Sequence, residues 1–170
     1  ELLAAAYLHD VLEEQPAHAA ELAARFPSPV VETVRLLTEQ KLDARGNKRA
    51  KAERFAEYVV GLRQGTPAAR RAAVVSCADK LDNLEGLVAA QRSGDNLLAR
   101  LATRPGQHAP QLATLREIYR DVVGGSLLAA FDGAVAALAE TLARWLPGRA
   151  VCIAADAHLG QFDRAGAPTI

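Results

Sequence analysis

The chain has 170 residues, 50% of them hydrophobic and 24% charged, a composition that excludes a disordered segment and fits one globular domain. Its 20 Lys and Arg residues balance 20 Asp and Glu residues, so no overall field attracts nucleic acid or an anionic membrane. No apolar run is expected to reach the roughly 18 residues that span a bilayer, and no signal peptide opens the chain, so we expect a soluble, cytoplasmic protein.

Helical periodicity runs through almost the whole chain. Ala, Leu, Arg and Glu dominate, and no segment alternates apolar and polar residues long enough to predict a strand. Pro and Gly punctuate the pattern, as at Gly65-Thr66-Pro67. The predicted helices cover about residues 1–14, 17–26, 29–41, 48–63, 67–91, 110–123, 127–146 and 149–158, with a short one between loops near 93–95 and 105–106. The sequence therefore predicts an all-α helical bundle.

The two cysteines, Cys77 and Cys152, lie in apolar surroundings without the spacing of a paired motif. We interpret them as buried thiols, and a disulfide between them stays open as the alternative. Buried thiols agree with a reducing compartment.

A first cluster of chemically active side chains surrounds His9. His9 and Glu13 are four residues apart and would share a face of the first helix, with Asp10 next to His9. Their apolar neighbours should be buried, where an unpaired charge is unfavourable and a divalent cation would be stabilising. The alternative is a solvent-exposed His-Asp pair at a helix end.

A second cluster follows the apolar run that ends at Ala78. Asp79 comes next, and Asn83 lies four residues on, on the same helix face. Imidazole and carboxylate ligands with open positions for water suit Mn²⁺, Fe²⁺ or Zn²⁺ better than a structural thiolate site. The alternative for Asp79 is a buried salt bridge to an arginine.

Together these segments resemble the HD-domain phosphohydrolases, and within them the RelA/SpoT-like (p)ppGpp hydrolases. Residues 8–14 read Leu-His-Asp-Val-Leu-Glu-Glu and residues 78–84 read Ala-Asp-Lys-Leu-Asp-Asn-Leu, both similar to family motifs. Residues 34–41 are similar to the family's Leu-Thr-x-x-Lys stretch. The resemblance covers about residues 1–125 and implies an HD-domain helical bundle.

The same resemblance implies a metal centre. His9, Asp10 and Asp79 would bind a divalent metal, with Mn²⁺ preferred and Fe or Zn as alternatives. Glu13 would orient or deprotonate the attacking water as a catalytic residue. Glu14, the second catalytic candidate, stands where the family usually has Asp, and its longer side chain weakens that assignment.

Substrate contacts are also implied by the resemblance. Asn83 would contact the ribose or phosphate of the substrate. Lys48 is a candidate phosphate contact, although Lys51 fits nearly as well. Tyr119 matches a tyrosine that lines the family's nucleotide pocket, and a core aromatic on an amphipathic helix is the alternative.

The end of the chain resembles the family's opening segment, which reads Ala-His-x-Gly-Gln, a basic cluster and then Gly-x-Pro-Tyr-Ile-x-His-Pro. In that pattern the first metal-binding His would fall two residues beyond Ile170. We therefore predict a helical core over 1–147 and a permuted or reordered opening segment over 148–170. A second, truncated copy and a plain terminal helix with a tail are the alternatives.

That segment also bears on the substrate. Asp163 stands where the alarmone hydrolases have an Arg that stacks on guanine, and Arg164 beside it is the substrate-binding candidate. Thr169 replaces the pocket Tyr. Because a stacking cation contributes roughly 0.5–2 kcal/mol, its absence weakens the prediction of (p)ppGpp as substrate.

The function predicted is metal-dependent hydrolysis of a phosphate ester or pyrophosphate of a nucleotide, with (p)ppGpp as one candidate. The alternative is a non-catalytic HD-fold module for nucleotide sensing or structure. The expected partner is a small phosphorylated molecule rather than nucleic acid or a membrane, because neither overall charge nor a recognition helix favours those. A homodimer is compatible with this prediction.

Overall fold

The structure is a computed structural model that describes the backbone of residues 1–94 and 105–157 and the side chains of residues 1–94 and 109–143. It confirms the all-α fold, since the described residues form helices and one isolated bridge between Leu42 and Lys48. In chain order the helices are α1 (Leu2–Leu8), α2 (Val11–Glu14), a 3-10 turn (Pro16–His18), α3 (Ala19–Arg25), α4 (Ser28–Leu37), α5 (Lys51–Leu62), α6 (Pro67–Arg92), α7 (Pro105–Arg120) and α8 (Gly125–Ala157).

Helix α6 lies at the centre of the bundle, where it packs against α1, α4, α5, α7 and α8. It begins as the sequence predicts: Pro67 occupies the first turn, and the Thr66 hydroxyl accepts a hydrogen bond from the Ala69 amide at 3.1 Å. Ala69 and Ala72 are fully buried, and such small side chains let neighbouring helices approach closely. Any residue on the inner part of α6 is therefore held firmly.

The hydrophobic core joins residues from most of the helices. Val34, Cys77, Tyr119 and Phe131 have no exposed surface. Cys77 is a free, buried thiol as expected, and burial raises its pKa to about 11. The side chain of Cys152 lies outside the described residues.

The helix predicted over residues 1–14 is divided in two, and this prediction is corrected. Residues 9 and 10 form a turn between α1 and α2. Asp10 has φ −92° and ψ −8°, and its carbonyl accepts the amides of Glu13 and Glu14 at 3.1 and 3.0 Å. Its side chain makes no capping bond to α2 and instead approaches His9.

Helix α4 ends four residues earlier than the predicted end at Lys41. Thr38 is extended with ψ 115°, and its hydroxyl donates back to the Val34 carbonyl at 2.8 Å. The next amide, that of Glu39, donates to the Glu13 carboxylate instead of continuing the helix. A contact between α2 and the end of α4 therefore replaces the last predicted turn.

Helix α5 begins at Lys51 rather than at Lys48, so Lys48 lies in a loop. Leu42 and Lys48 form an antiparallel bridge across that loop. The Asp43 carboxylate closes its tip by accepting two backbone amides, one of them from Asn47 at 2.8 Å. These bonds hold the pKa of Asp43 below its usual value.

The last helices differ from the predicted boundaries. Helix α7 starts at Pro105, where a loop was expected, and ends at Arg120 rather than near 123. Helix α8 continues to Ala157, so the two helices predicted over 127–146 and 149–158 are one. The predicted short helix before residue 105 and the segment 158–170 lie outside the described residues.

One described stretch, Gly125–Ala143 of α8, could cross a membrane by length and composition, with 17% of it buried. The expectation that no apolar run reaches this length is wrong for this stretch. Core helices that pass the same test are mostly buried, which this stretch is not, but α8 packs on both α6 and α7. Asp132, in the middle of the stretch, accepts two hydrogen bonds of 2.7 Å from Arg116 of α7. These are the contacts of a helix in a bundle.

Candidate metal centre

His9 lies in the turn after α1 with both ring nitrogens engaged. Nδ1 is 2.8 Å from the Ala6 carbonyl oxygen, which can only accept, so Nδ1 carries the proton. In the neutral ring Nε2 then presents a lone pair. That atom lies 3.1 Å from Oδ2 of Asp10 and 3.5 Å from Oδ1 of Asp79. The structure thus places the His9 side chain close to the two carboxylates that the sequence predicts as further metal ligands.

Asp79 reaches this point from the central helix α6. Its Oδ1 accepts a hydrogen bond of 2.9 Å from the Asn83 amide, one turn further along the helix. Its Oδ2 accepts one of 2.6 Å from the ammonium of Lys80. Burial acts to lower the pKa of Lys80, but Asp79 and other acidic neighbours outweigh this effect and raise it. Asp79 is therefore oriented with Oδ1 toward His9.

The donor chemistry of these residues fits a divalent cation. Lone pairs on Nε2 and on two carboxylate oxygens face one another, and a proton or a cation between them relieves the repulsion. Two ligands bound at about 2.1 Å to one first-row metal ion lie roughly 3.0–3.4 Å apart, close to the two separations from His9. A His that donates its other N–H to a carbonyl is also the usual arrangement of a metal ligand.

The three side chains do not form a complete set of metal ligands in this conformation. Across the side chains that the structure describes, no group of three His, Cys, Asp or Glu residues is assembled to hold a metal ion. The side chain of Asp10 is 66% exposed, so its carboxylate can rotate without disturbing the core.

Glu13 does not face solvent freely. Its Oε1 accepts the backbone amide of Glu39 at 3.0 Å, and its Oε2 pairs with the Lys41 ammonium at 3.0 Å. Glu14, 72% exposed, pairs with the same ammonium at 3.3 Å. Since the turn at Asp10 interrupts the helix, the predicted shared helix face of His9 and Glu13 no longer follows from their spacing.

One family model matches the chain over more than half of its length. A model described as HD domain matches residues 1–108, a stretch that includes His9, Asp10 and Asp79. The chain belongs to the HD-domain family. HD domains are in general metal-dependent phosphohydrolases that bind divalent cations. No curated protein and no solved structure gives a significant match to the chain.

The predicted substrate residues that the structure describes are Asn83, Lys48 and Tyr119, and they lie in three different environments. Asn83 is exposed, and its amide nitrogen bonds both Oδ1 and the backbone carbonyl of Asp79 at 2.9 and 2.8 Å. In this structure it orients Asp79. Lys48 is exposed and lines a cleft together with Glu13. Arg164 lies outside the described residues.

Tyr119 occupies the position of the core aromatic that the sequence left as an alternative. Its side chain is fully buried, and its ring meets Phe131 edge-on at 5.3 Å between ring centroids. Its hydroxyl lies 2.6 Å from the Ser76 hydroxyl, which also accepts a bond of 2.6 Å from Tyr58. Burial raises the pKa of Tyr119.

Sequence reasoning gave no role to three residues that shape this HD site. Lys80 holds Asp79, and Glu39 and Lys41 together hold Glu13. Lys41 belongs to the stretch of residues 34–41 that resembles the family, so a signal for it was present. The backbone amide of Glu39 carries no sequence signal.

Proposed function

We propose that this chain is a metal-dependent phosphohydrolase in which His9, Asp10 and Asp79 hold the cation. The observation that carries this proposal is the orientation of His9. Its Nδ1–H is committed to a backbone carbonyl, and its Nε2 faces the carboxylate of Asp10 in the same turn and that of Asp79 on α6. The match to the HD-domain model supports the same assignment.

The mixed nitrogen and oxygen donor set favours Mn²⁺, with Fe²⁺ and Zn²⁺ as alternatives. The bound cation would supply Lewis acidity, which polarises a phosphoryl oxygen and lowers the pKa of a coordinated water. Asn83 and Lys80 keep Asp79 in place for this role.

Other residues of the chain act on water and substrate in this proposal. Glu13 orients the attacking water or accepts its proton, which requires an oxygen of Glu13 within one hydrogen bond of that water. Glu14 assists from a more exposed position. Lys48, on the wall of the cleft that contains Glu13, contacts a phosphate group.

The substrate class that we propose is a phosphate ester or pyrophosphate of a nucleotide. The (p)ppGpp candidate rests on the motifs around His9 and Asp79 and is opposed by Asp163, an acid where the resembling hydrolases have a stacking cation. A small phosphorylated molecule in the cytoplasm is the proposed partner, and a homodimer is the proposed assembly.

Turnover by purified protein tests the proposal. With Mn²⁺ present, we expect hydrolysis of at least one member of a panel of ppGpp and common nucleotides. His9→Ala and Asp79→Asn should lower that rate at least about 100-fold. Asp82→Asn is the matched control, because Asp82 is an exposed carboxylate three residues further along α6. The proposal is wrong if no substrate of the panel is hydrolysed in a reaction that His9→Ala abolishes.

A non-catalytic HD module is the second candidate. It is favoured by Glu13, which has both carboxylate oxygens engaged, and by the absence of an assembled ligand group among the described side chains. Metal content separates the two candidates. Protein prepared without chelators should carry about one divalent ion per chain if it is the hydrolase, and none if it is a metal-free module.

A further inference from the structure

The cleft beside Glu13 is strongly basic. It has a volume of about 980 Å³ and lies between α2, the end of α4, the loop after it and the start of α5. Six cationic residues line it: Arg35, Lys41, Lys48, Arg49, Lys51 and Arg54. The two acidic residues that line it are Glu13 and Glu39. A cleft with this excess of positive charge attracts an anion.

The cations of this basic cleft differ in how firmly they are held. Arg49 is clamped by both Glu53 and Glu57 on the first turns of α5, so it is fixed in place. Lys48 and Arg35, in contrast, are exposed and have no acidic partner among the residues that the structure describes. These two are available to an incoming anion.

Lys41 is intermediate between those cases. Its ammonium lies 3.0 Å from Oε2 of Glu13 and 3.3 Å from Oε1 of Glu14, and its side chain is 46% exposed. The hydrogen bond with Glu13 raises the pKa of Lys41, which keeps it charged. A flexible four-carbon side chain can move this charge without any change in the backbone.

Glu13 is held by one fixed and one movable partner. The fixed partner is the backbone amide of Glu39, and the movable partner is Lys41. Each carboxylate oxygen can accept two hydrogen bonds, and the ammonium of Lys41 occupies one acceptor position of Oε2. Movement of Lys41 frees that position while the backbone and the bond from the Glu39 amide stay in place.

We propose that Lys41 is a positioning residue whose ammonium leaves the carboxylate of Glu13 and pairs with a phosphate of the substrate. A polyanionic ligand in the basic cleft, held by Lys48 and Arg35, attracts the Lys41 ammonium and so releases Oε2 of Glu13. The ligand class that fits is a molecule with at least two linked phosphates, since one phosphate can pair with Lys41 while the other pairs with Lys48 and Arg35 in the same cleft. This deepens the proposed function and rests on it; no covalent bond changes in the exchange.

Binding of inorganic pyrophosphate to the protein in EDTA, measured by calorimetry, tests the exchange without turnover. Lys41→Gln should weaken binding about tenfold, and Lys41→Arg should largely restore it. Glu13→Gln removes the competitor for Lys41 but keeps a carbonyl oxygen for the Glu39 amide. It should strengthen binding about three- to tenfold.

The variant that carries both Glu13→Gln and Lys41→Gln decides the interpretation. If the Lys41 ammonium moves from Glu13 to a phosphate, Glu13→Gln does not strengthen pyrophosphate binding in a protein that already carries Lys41→Gln. Asp82→Asn is the control for loss of one negative charge, and its gain should stay below about twofold because Asp82 is exposed on α6 and does not line the cleft. An equal gain from Glu13→Gln with and without Lys41, an equal gain from Asp82→Asn, or unchanged binding in Lys41→Gln would overturn the proposal.

Failure of the exchange and failure of the proposed function give different results. Absence of metal-dependent turnover with an intact double-variant pattern leaves a pyrophosphate-responsive HD module. Turnover that depends on His9, without that pattern, leaves a hydrolase in which Lys41 does not move. Urea unfolding of each variant confirms that a change in binding does not reflect loss of the fold.

Discussion

Ser76 lies in the middle of a chain of three hydroxyl groups that links three helices. Tyr58 of α5 donates to it, and Tyr119 of α7 completes the chain at the same 2.6 Å separation. Ser76 stands on α6, three residues before Asp79, so these hydroxyl groups fix α6 close to the proposed metal centre. Burial raises the pKa of Tyr58, so this hydroxyl stays protonated and able to donate.

Replacing Ser76 with Ala should destabilise the protein. The substitution removes only a hydroxyl but deprives both tyrosines of their partner inside the core. We expect the free energy of unfolding in urea to fall by about 1–3 kcal/mol. Tyr119→Phe is the control and should cost less, because Ser76 then keeps its bond with Tyr58. A loss below about 0.5 kcal/mol in Ser76→Ala would contradict this role.

At the scale of elements, α7 and α8 are joined by a paired contact between Arg116 and Asp132. Two hydrogen bonds of 2.7 Å connect the guanidinium to the two carboxylate oxygens. This bond with Arg116 lowers the pKa of Asp132 below its ordinary value of 3.8. The pair therefore favours the folded state while Asp132 is ionised.

The contribution of the Arg116–Asp132 pair to the stability of the fold should decrease at acidic pH. Because the pKa of Asp132 is lower in the folded state, the contribution is fully present above about pH 4 and is lost as the pH falls through the folded pKa. Asp132→Asn should thus be less stable than the parent at pH 7, and the difference in the free energy of urea unfolding should be smaller at pH 3. Asp121→Asn, at a 73% exposed side chain, is the control. A difference that is the same at both pH values argues against the pair.

The elements that the sequence predicted well are those governed by neighbours in the chain. The start of α6 follows from Thr66 and Pro67, and both act within the first turn. The early end of α4 was not predictable in this way, because the Glu39 amide bonds Glu13, 26 residues earlier. The turn at His9 also involves a distant contact, because Nε2 of His9 lies 3.5 Å from Oδ1 of Asp79 on α6.

The same distinction between local sequence signals and distant contacts applies to the candidate site. Motif resemblance named His9, Asp10 and Asp79, and the structure brings His9 into contact with both carboxylates. The motif resemblance does not indicate that Lys41 pairs with Glu13, because no periodicity relates two residues in different elements. The three environments of Lys48, Asn83 and Tyr119 depend on tertiary packing in the same way.

For the whole molecule, the proposed metal centre would connect two parts that differ in how many helices hold them. Asp79 belongs to α6, which contacts most of the bundle, whereas His9 and Asp10 belong to a turn between the short helices α1 and α2. A cation held by all three would tie that turn to the central helix. Binding would then stabilise the folded chain as a whole, since the unfolded chain does not assemble these ligands.

Addition of Mn²⁺ should therefore raise the stability of the protein. At about 100 times the dissociation constant, the free energy of unfolding should increase by roughly 2.7 kcal/mol. Thermal unfolding with and without the ion measures the effect, and His9→Ala should remove it. Equal stabilisation of His9→Ala and the parent protein would place the ion elsewhere.

The break between α1 and α2 has a consequence for how activity can be lost. Helix α1 has seven residues, too few to stay helical in water without the bundle. Brief detachment of this segment would separate His9 from Asp79 while the central helices remain intact. The proposed metal-dependent activity would therefore be lost by local unfolding of this segment, at conditions under which the rest of the bundle stays folded.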